Sequence, residues 1–151
     1  MKKQRQLSLT EAFINADRLQ MRINKRCISS FGLHEGDFRI LMYLYTQDET
    51  AKSQRSIAES FDISSAAVAV TLKRMERDGL IERSHPSSDN RANTVVLTAK
   101  GKKTVKNVMA YFDKMQITLL SEFTDEEIAS MTGFLNKFSD IVSRFDLTSI
   151  E

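Results

Sequence analysis

Small, hydroxyl and basic side chains are concentrated in the middle of the chain, in an order that suits binding to a polyanion. Hydroxyl groups and the free amides at a helix N-terminus can donate hydrogen bonds to phosphate oxygens, and the DNA major groove admits one helix. The candidate DNA-binding residues are Ser53, Gln54, Arg55, Ser64, Ser65, Ala66, Ala69, Val70, Thr71, Lys73 and Arg74. The alternative is that the serines only cap helices and the basic residues only face solvent.

A polar segment of ten residues, 84–93, should protrude between two short strands and carries a basic side chain near its tip. An arginine that projects from a hairpin can enter a narrow minor groove, where the negative potential is enhanced. Arg91 is therefore a candidate for minor-groove binding. Asp89 would repel phosphate unless it were neutralised, so we interpret it as a brace that pairs with Arg74 or Arg91. Both residues could also be ordinary surface residues of a loop.

The elements that must position these residues follow from apolar spacing and from capping residues. Val68, Leu72 and Met75 recur at helical spacing and should form the buried face of the helix that carries the basic residues. The sequence predicts a mostly α-helical winged helix-turn-helix with a small β-hairpin. The predicted elements are helices from Ser8 to about Ser29 or Ser30, about Glu35 to Gln47, Gln54 to Ser60, Ser64 or Ser65 to Gly79, Thr98 to about Phe123 and Thr124 onward, with strands at Leu80–Arg83 and Thr94–Leu97.

Bulk properties favour a soluble globular protein of one domain, with or without an oligomerisation extension. The chain has 151 residues, of which 41% are hydrophobic and 28% charged. Its net charge is only +2, yet residues 50–103 carry ten basic and six acidic residues, which places the basic excess beside the candidate interface. The sequence offers no run of ~20 apolar residues for a membrane span, and we expect a cytoplasmic location.

Enzymatic and metal-binding classes receive no support from the motifs. The chain has no glycine-rich phosphate loop and no histidine beside a nucleophile motif. His34, Glu35 and Asp37 are close together, but two histidines without paired ligand spacing do not predict a metal site. We therefore predict a protein that is not an enzyme and has no cofactor.

Two further groups of residues have a functional and a structural interpretation. Cys27 is the single cysteine, and Lys25 and Arg26 could lower the pKa of its thiol for redox sensing, or it could be a structural thiol. A cavity for a small aromatic or anionic effector could form from one group of side chains, which could equally be plain core. These residues are Phe13, Arg22, Phe38, Met42, Tyr45, Met109 and Phe112.

The segment from Ser53 to Gly101 resembles the MarR family of bacterial transcriptional regulators. Residues 89–101 match the wing signature of the family, Asp-x-Arg followed by an apolar strand and Leu-Thr-x-x-Gly, and Met75–Arg83 resembles the end of its recognition helix. The chain departs from the family at Ala69-Val70, where Thr or Ser followed by a basic residue is common. Base reading could then use thymine methyl groups, or Ser65, Ala66 and Thr71 instead.

The resemblance implies a homodimer that binds a palindromic operator, with Arg91 at the minor groove and often a small-molecule effector. The first, fifth and sixth helices carry more apolar surface than a small winged helix can cover, which also favours a second copy of the chain as partner. We expect N- and C-terminal dimerisation segments at residues 1–34 and 101–151, with the DNA-binding domain at 35–100. The predicted function is a repressor that the effector releases, and the alternative is an effector-binding or redox-sensing dimer of the same fold.

Overall fold

The computed structural model describes residues 8–47, 52–84 and 94–145 and has the predicted mostly helical architecture. All six predicted helices and both predicted strands are present. The elements in chain order are α1 Leu9–Ser30, α2 Glu35–Thr46, β1 Lys52–Ser53, α3 Gln54–Phe61, α4 Ser65–Arg77, β2 Ile81–Ser84, β3 Thr94–Leu97, α5 Ala99–Leu120 and α6 Asp125–Ser143.

Helix boundaries follow the capping residues that the sequence offers. Ser8 and Thr124 each start a helix with a reciprocal capping box, and Ser64 rather than Ser65 is the N-cap of α4. Gly32 and Gly79 follow α1 and α4 in the left-handed conformation, with φ of +73° and +69°. The fifth helix ends at Leu120, earlier than about Phe123, because a 3.0 Å bond from the Phe123 amide to the Leu120 carbonyl closes a turn there.

The sheet has three strands instead of the two predicted. β3 lies between β1 and β2 and is antiparallel to both, with Thr94 opposite Ser53 on one side and Ser84 on the other. β1 has only two residues, which is too short for the alternation that marks a strand in sequence. Ser84 belongs to β2, so the segment between the strands is shorter than predicted, and residues 85–93 lie outside the described residues.

One hydrophobic core holds α4 against the sheet and the neighbouring helices. Val68, Leu72 and Met75 of α4 are fully buried, which confirms the predicted inner face. The other side chains that are less than 2% exposed are Leu41, Ile57, Ile81, Val95, Val105 and Val108. Asp37 is the buried charged residue of the described chain, and its partner belongs to the candidate site.

The junction between the sheet and α5 explains the Leu-Thr-x-x-Gly sequence. The Thr98 hydroxyl donates to the Gly79 carbonyl at 2.7 Å and accepts from the Gly101 amide at 2.9 Å, so one side chain fastens the end of α4 to the start of α5. A β-carbon added to Gly101 would lie 2.1 Å from the Leu80 carbonyl oxygen. Only glycine fits this close approach.

The chain divides into two compact units, Met1–Phe112 and Asp113–Glu151. The first contains the winged helix-turn-helix and α1, and the second contains the end of α5 and α6. α6 has no buried residue, although its apolar side chains are spaced as predicted. Among the described residues, no helix is both long and apolar enough to cross a membrane.

Candidate nucleic-acid interface

The outer face of α4 is available for contact because the inner face anchors the helix. Ser65, Ala66, Val70 and Lys73 are exposed, and Ala69 is half-buried. Val70 is 67% exposed, whereas the other large apolar residues of the helix are fully buried. The predicted helix-turn-helix is therefore present, with small, apolar and basic groups on its open side.

The start of α4 combines a capped helix terminus with hydroxyl groups. The Ser64 hydroxyl oxygen accepts from the Ala67 amide at 3.2 Å, and its own proton is left to donate. The first amides of a helix have no carbonyl acceptor within that helix. The capping interpretation of Ser64 is thus confirmed, and capping leaves the serine able to meet a phosphate.

Arg74 makes an ion pair that the sequence did not suggest. Its guanidinium is paired with Asp37 of α2, with Nε at 3.3 Å from Oδ2 and Nη2 bonded to Oδ1. The Asp37 side chain is 4% exposed and that of Arg74 29%. Asp37 also accepts from the His34 amide at 2.9 Å, so one carboxylate starts α2 and holds α4. Whether Asp89 pairs with Arg74 or with Arg91 stays a prediction, because Asp89 lies outside the described residues.

The Thr71 hydroxyl also makes a hydrogen bond within the protein. Thr71 is half-buried, and its hydroxyl donates to the Ala67 carbonyl at 3.2 Å within the helix. Threonine hydroxyls inside a helix often donate a hydrogen bond to the carbonyl four residues earlier. Thr71 therefore adds less polar reach to the open face than its residue type suggested.

Gln54 links three elements and is not a free polar group. Its amide nitrogen donates to the Ser65 carbonyl at 3.1 Å, and its amide oxygen accepts from Arg83 of β2 at 2.9 Å. The first residue of α4 is thereby tied to α3 and to the wing strand. Arg83 was not among the sequence candidates, and no local pattern distinguishes it from other strand arginines.

Ser53 and Arg55 lie on either side of Gln54 and differ in exposure. Ser53 caps α3 by accepting from the Ser56 amide at 3.0 Å. The Arg55 side chain is 86% exposed and its Nε lies 2.8 Å from a carboxylate oxygen of Glu59. The hydrogen bond to Glu59 and the charge of its carboxylate raise the pKa of Arg55, so the guanidinium stays charged. Arg55 can still reach a phosphate if it leaves Glu59, since exposed ion pairs are weak.

A groove of about 630 Å³ runs between α3 and the start of α4. Its lining residues are Arg55, Ala58, Glu59, Asp62, Ile63, Ser64 and Ser65. Asp62 turns the chain here with φ of +51°, which a short polar side chain tolerates. The structure thus brings the predicted Arg55, Ser64 and Ser65 to one surface, whereas Asp89 and Arg91 lie outside the described residues.

Sequence comparison identifies the family. The MarR family model matches residues 33–92, and YetL of Bacillus subtilis strain 168, an HTH-type transcriptional repressor, is 30% identical over 117 residues. That alignment covers 77% of this chain and 68% of YetL. The chain belongs to the MarR family. It is therefore a member of a family of transcriptional regulators and not of enzymes.

Solved structures of MarR-type regulators agree with this fold. MepR, a transcription regulator of the Staphylococcus aureus multidrug efflux pump MepA, matches 90% of this chain and 99% of its own with a TM-score of 0.82 at 24% identity. The complex of MepR with DNA matches 91% of this chain and 99% of its own, with a TM-score of 0.66 at 25% identity. The first likeness confirms the six-helix winged fold.

The candidate effector residues of this MarR-family chain fall into two groups. The rings of Phe38 and Phe112 are in edge contact, with centroids 5.7 Å apart, and Met42 and Tyr45 pack against the same core. The remaining candidates, Phe13, Arg22 and Met109, are exposed. Packing alone accounts for the first group, so the pocket stays a prediction.

The remaining sequence candidates also have structural explanations. Cys27 is 5% exposed, and its burial raises the pKa of its thiol, opposite to the change that redox sensing would need. Asp37 and His34 begin α2. No cluster of three or more potential metal ligands occurs in the described ranges 8–47, 52–84 and 94–145.

Proposed function

We propose that this MarR-family regulator is a homodimeric repressor that binds a palindromic site in double-stranded DNA and is released by a small-molecule effector. One observation carries the proposal. α4 is fixed by three fully buried side chains, and its opposite face is open and bears small residues and Lys73. The DNA complex of MepR and the repressor name of YetL support it. A regulator of this kind acts where the chromosome is, in the bacterial cytoplasm.

Exposed apolar residues on the terminal helices support the homodimer and the dimerisation segments expected at 1–34 and 101–151. Leu9, Ile14 and Met21 of α1 are each more than half exposed, and six apolar residues of α6 are 37–54% exposed: Met131, Phe134, Leu135, Phe138, Ile141 and Val142. Contiguous apolar surface on a soluble domain usually marks an interface. A two-fold dimer presents α4 twice, and it therefore reads a palindrome. Sedimentation at micromolar concentration should give the mass of two chains, and a monomer would contradict the proposal.

Binding to the DNA upstream of the chain's own gene tests the DNA proposal. Gel shift or fluorescence anisotropy in rising salt should show affinity falling steeply, because each neutralised phosphate contributes about −0.9 to the slope of log K against log salt. A flat salt response would remove the DNA-binding function. An unrelated duplex of the same length serves as the control for non-specific binding.

Two lysines make a matched test of the proposed surface. Lys73 is exposed on α4 and Lys137 is exposed on α6. Lys73→Ala should weaken binding to all duplexes and reduce the salt slope by about 1 per half-site. Lys137→Ala should change neither, and equal effects of the two changes would argue for attraction by net charge alone.

Arg91 is proposed to enter the minor groove from the wing, with Asp89 as its brace. Arg91→Ala should weaken operator binding by about 1–3 kcal/mol and leave the dimer intact. If operator affinity did not change, the proposed role of the wing would be wrong. Asp89→Ala should weaken binding less, since it acts only through the position of the arginine.

The effector proposal rests on the aromatic pair Phe38 and Phe112 and on the exposed Arg22, which could hold an anionic group. A ligand wedged there would alter the separation of the two α4 helices, and DNA half-sites about 34–36 Å apart tolerate little change. Benzoate is a simple aromatic anion for a test. It should release the duplex from the wild type at a lower concentration than from Arg22→Ala, and identical release curves would exclude Arg22.

A further inference from the structure

The residues of α4 that lie farthest from the core form one stripe along the helix. They are Ala66, Val70, Lys73 and Arg77, and all four are exposed. The spacing of four, three and four residues places them on one face of an α-helix. The stripe therefore carries alkyl groups on its N-terminal half and cations on its C-terminal half.

Three polar side chains near this stripe already make hydrogen bonds within the protein. The Thr71 hydroxyl donates to the Ala67 carbonyl, and the Arg74 guanidinium is bonded to the buried Asp37. Gln54 uses its amide nitrogen on the Ser65 carbonyl and its oxygen on Arg83. Past the hydroxyl groups of Ser64 and Ser65 at the start of α4, a base edge that meets the N-terminal half of the stripe therefore meets the alkyl groups of Ala66 and Val70.

Thymine is the base that presents an alkyl group in the major groove. Its C5-methyl distinguishes it from cytosine and makes favourable contact with alanine and similar side chains. We propose that Val70, flanked by Ala66, makes this chain select thymine at a defined position of each half-site by contact with that methyl group. The inference rests on the proposed DNA-binding function and adds the base and the residue that reads it.

Replacing thymine by uracil tests the contact directly, since the two bases differ only by the methyl group. Duplexes that bind are first selected from a random library with the wild-type chain. Each thymine of a selected duplex is then replaced by uracil, at the symmetric positions of both half-sites, and affinities are measured. One apolar methyl is worth about a fourfold change in affinity, so a paired replacement should cost about fifteenfold at the thymine that Val70 meets.

The Val70→Ala variant completes the test. Val70 is 67% exposed, so its loss should leave the circular dichroism and the thermal unfolding of the protein unchanged. Uracil at the critical position should no longer weaken binding by this variant. Lys73→Ala is the control, because it should weaken binding to thymine and uracil duplexes equally and keep their ratio.

Three outcomes would overturn the inference, and they differ from one another. If the wild type bound thymine and uracil duplexes equally at every position, no methyl group would be read. If Val70→Ala kept the wild-type ratio of affinities for thymine and uracil duplexes, another residue would contact the methyl group. If no duplex were selected at all, the DNA-binding function itself would fail and this inference with it.

Discussion

α4 and α6 are both amphipathic helices with a hydroxyl N-cap, yet their apolar faces have different surroundings. Val68, Leu72 and Met75 of α4 are fully buried in the core, whereas α6 has no buried residue. Phe134 and Phe138 of α6 stack on each other at 6.1 Å and are each about 40% exposed. The same periodic pattern is thus buried in the core in one helix and stays exposed in the other.

Removing a leucine from each helix should separate these two roles. Leu72→Ala deletes a fully buried side chain, so we expect it to lower the free energy of unfolding by about 3 kcal/mol in urea titration. Leu135 of α6 is 37% exposed. Leu135→Ala should change the unfolding of the dissociated chain by about 0.5 kcal/mol or less. It should instead raise the dimer dissociation constant measured by sedimentation.

The reverse result would contradict the proposed difference between the apolar faces of α4 and α6. If Leu135→Ala destabilised the dissociated chain as much as Leu72→Ala does, the apolar face of α6 would be needed for folding. If only Leu72→Ala changed the dimer dissociation constant, the exposed face of α6 would not serve association. Circular dichroism of both variants before titration provides the control for correct folding.

The ion pairs of α4 and of the end of α6 also differ in burial. Arg74 of α4 is bonded to Asp37, whose side chain is 4% exposed, whereas the Arg144–Asp140 pair at the end of α6 is 70% and 62% exposed. Arg74→Ala leaves a buried carboxylate unpaired and should cost about 3 kcal/mol, the lower end for buried pairs because the guanidinium is partly exposed. Arg144→Ala should cost about 0.5 kcal/mol or less.

Arg74→Lys sharpens this prediction. A lysine keeps the charge but cannot bond both carboxylate oxygens in a fork, so it should restore only part of the lost stability. If Arg74→Ala unfolded at the same urea concentration as the wild type, the Asp37 pair would not hold α4. Operator affinity should then be measured without urea, where every variant is folded. A loss of affinity under those conditions would show that the Arg74–Asp37 pair also orients α4 on DNA.

Local signals predicted most of the fold but only part of the candidate site. Capping serines, the glycine stops and the apolar spacing of α4 each act within a few residues, so they are visible in sequence. The bond between Arg74 and Asp37 joins residues 37 positions apart and depends on how α2 packs on α4. Residue type alone marked Arg74 as a DNA contact. The two-residue β1 was invisible for a similar reason, since its pairing with β3 is entirely non-local.

Two helical glycines give opposite predictions for the same substitution. A β-carbon on Gly101 would lie 2.1 Å from the Leu80 carbonyl oxygen, whereas one on Gly133 of α6 would meet nothing within 4 Å. Gly101→Ala should force the sheet and α5 apart and cost about 1–3 kcal/mol or more. Gly133→Ala should stabilise α6 by about 0.5–1 kcal/mol, because glycine is the poorer helix former. Thermal unfolding of the two variants should therefore shift in opposite directions.

The N-caps provide the smallest test and the one that best isolates DNA binding from stability. Ser64 accepts from the Ala67 amide and Thr124 accepts from the Glu127 amide, both at 3.2 Å. Replacing either with alanine removes one cap bond and should cost about 1 kcal/mol in urea unfolding. Only Ser64 also lies in the proposed interface, where its hydroxyl proton can reach a phosphate. Ser64→Ala should therefore weaken operator binding and Thr124→Ala should not, although their stabilities match. If both variants bound the operator like the wild type, Ser64 would be a cap and nothing more.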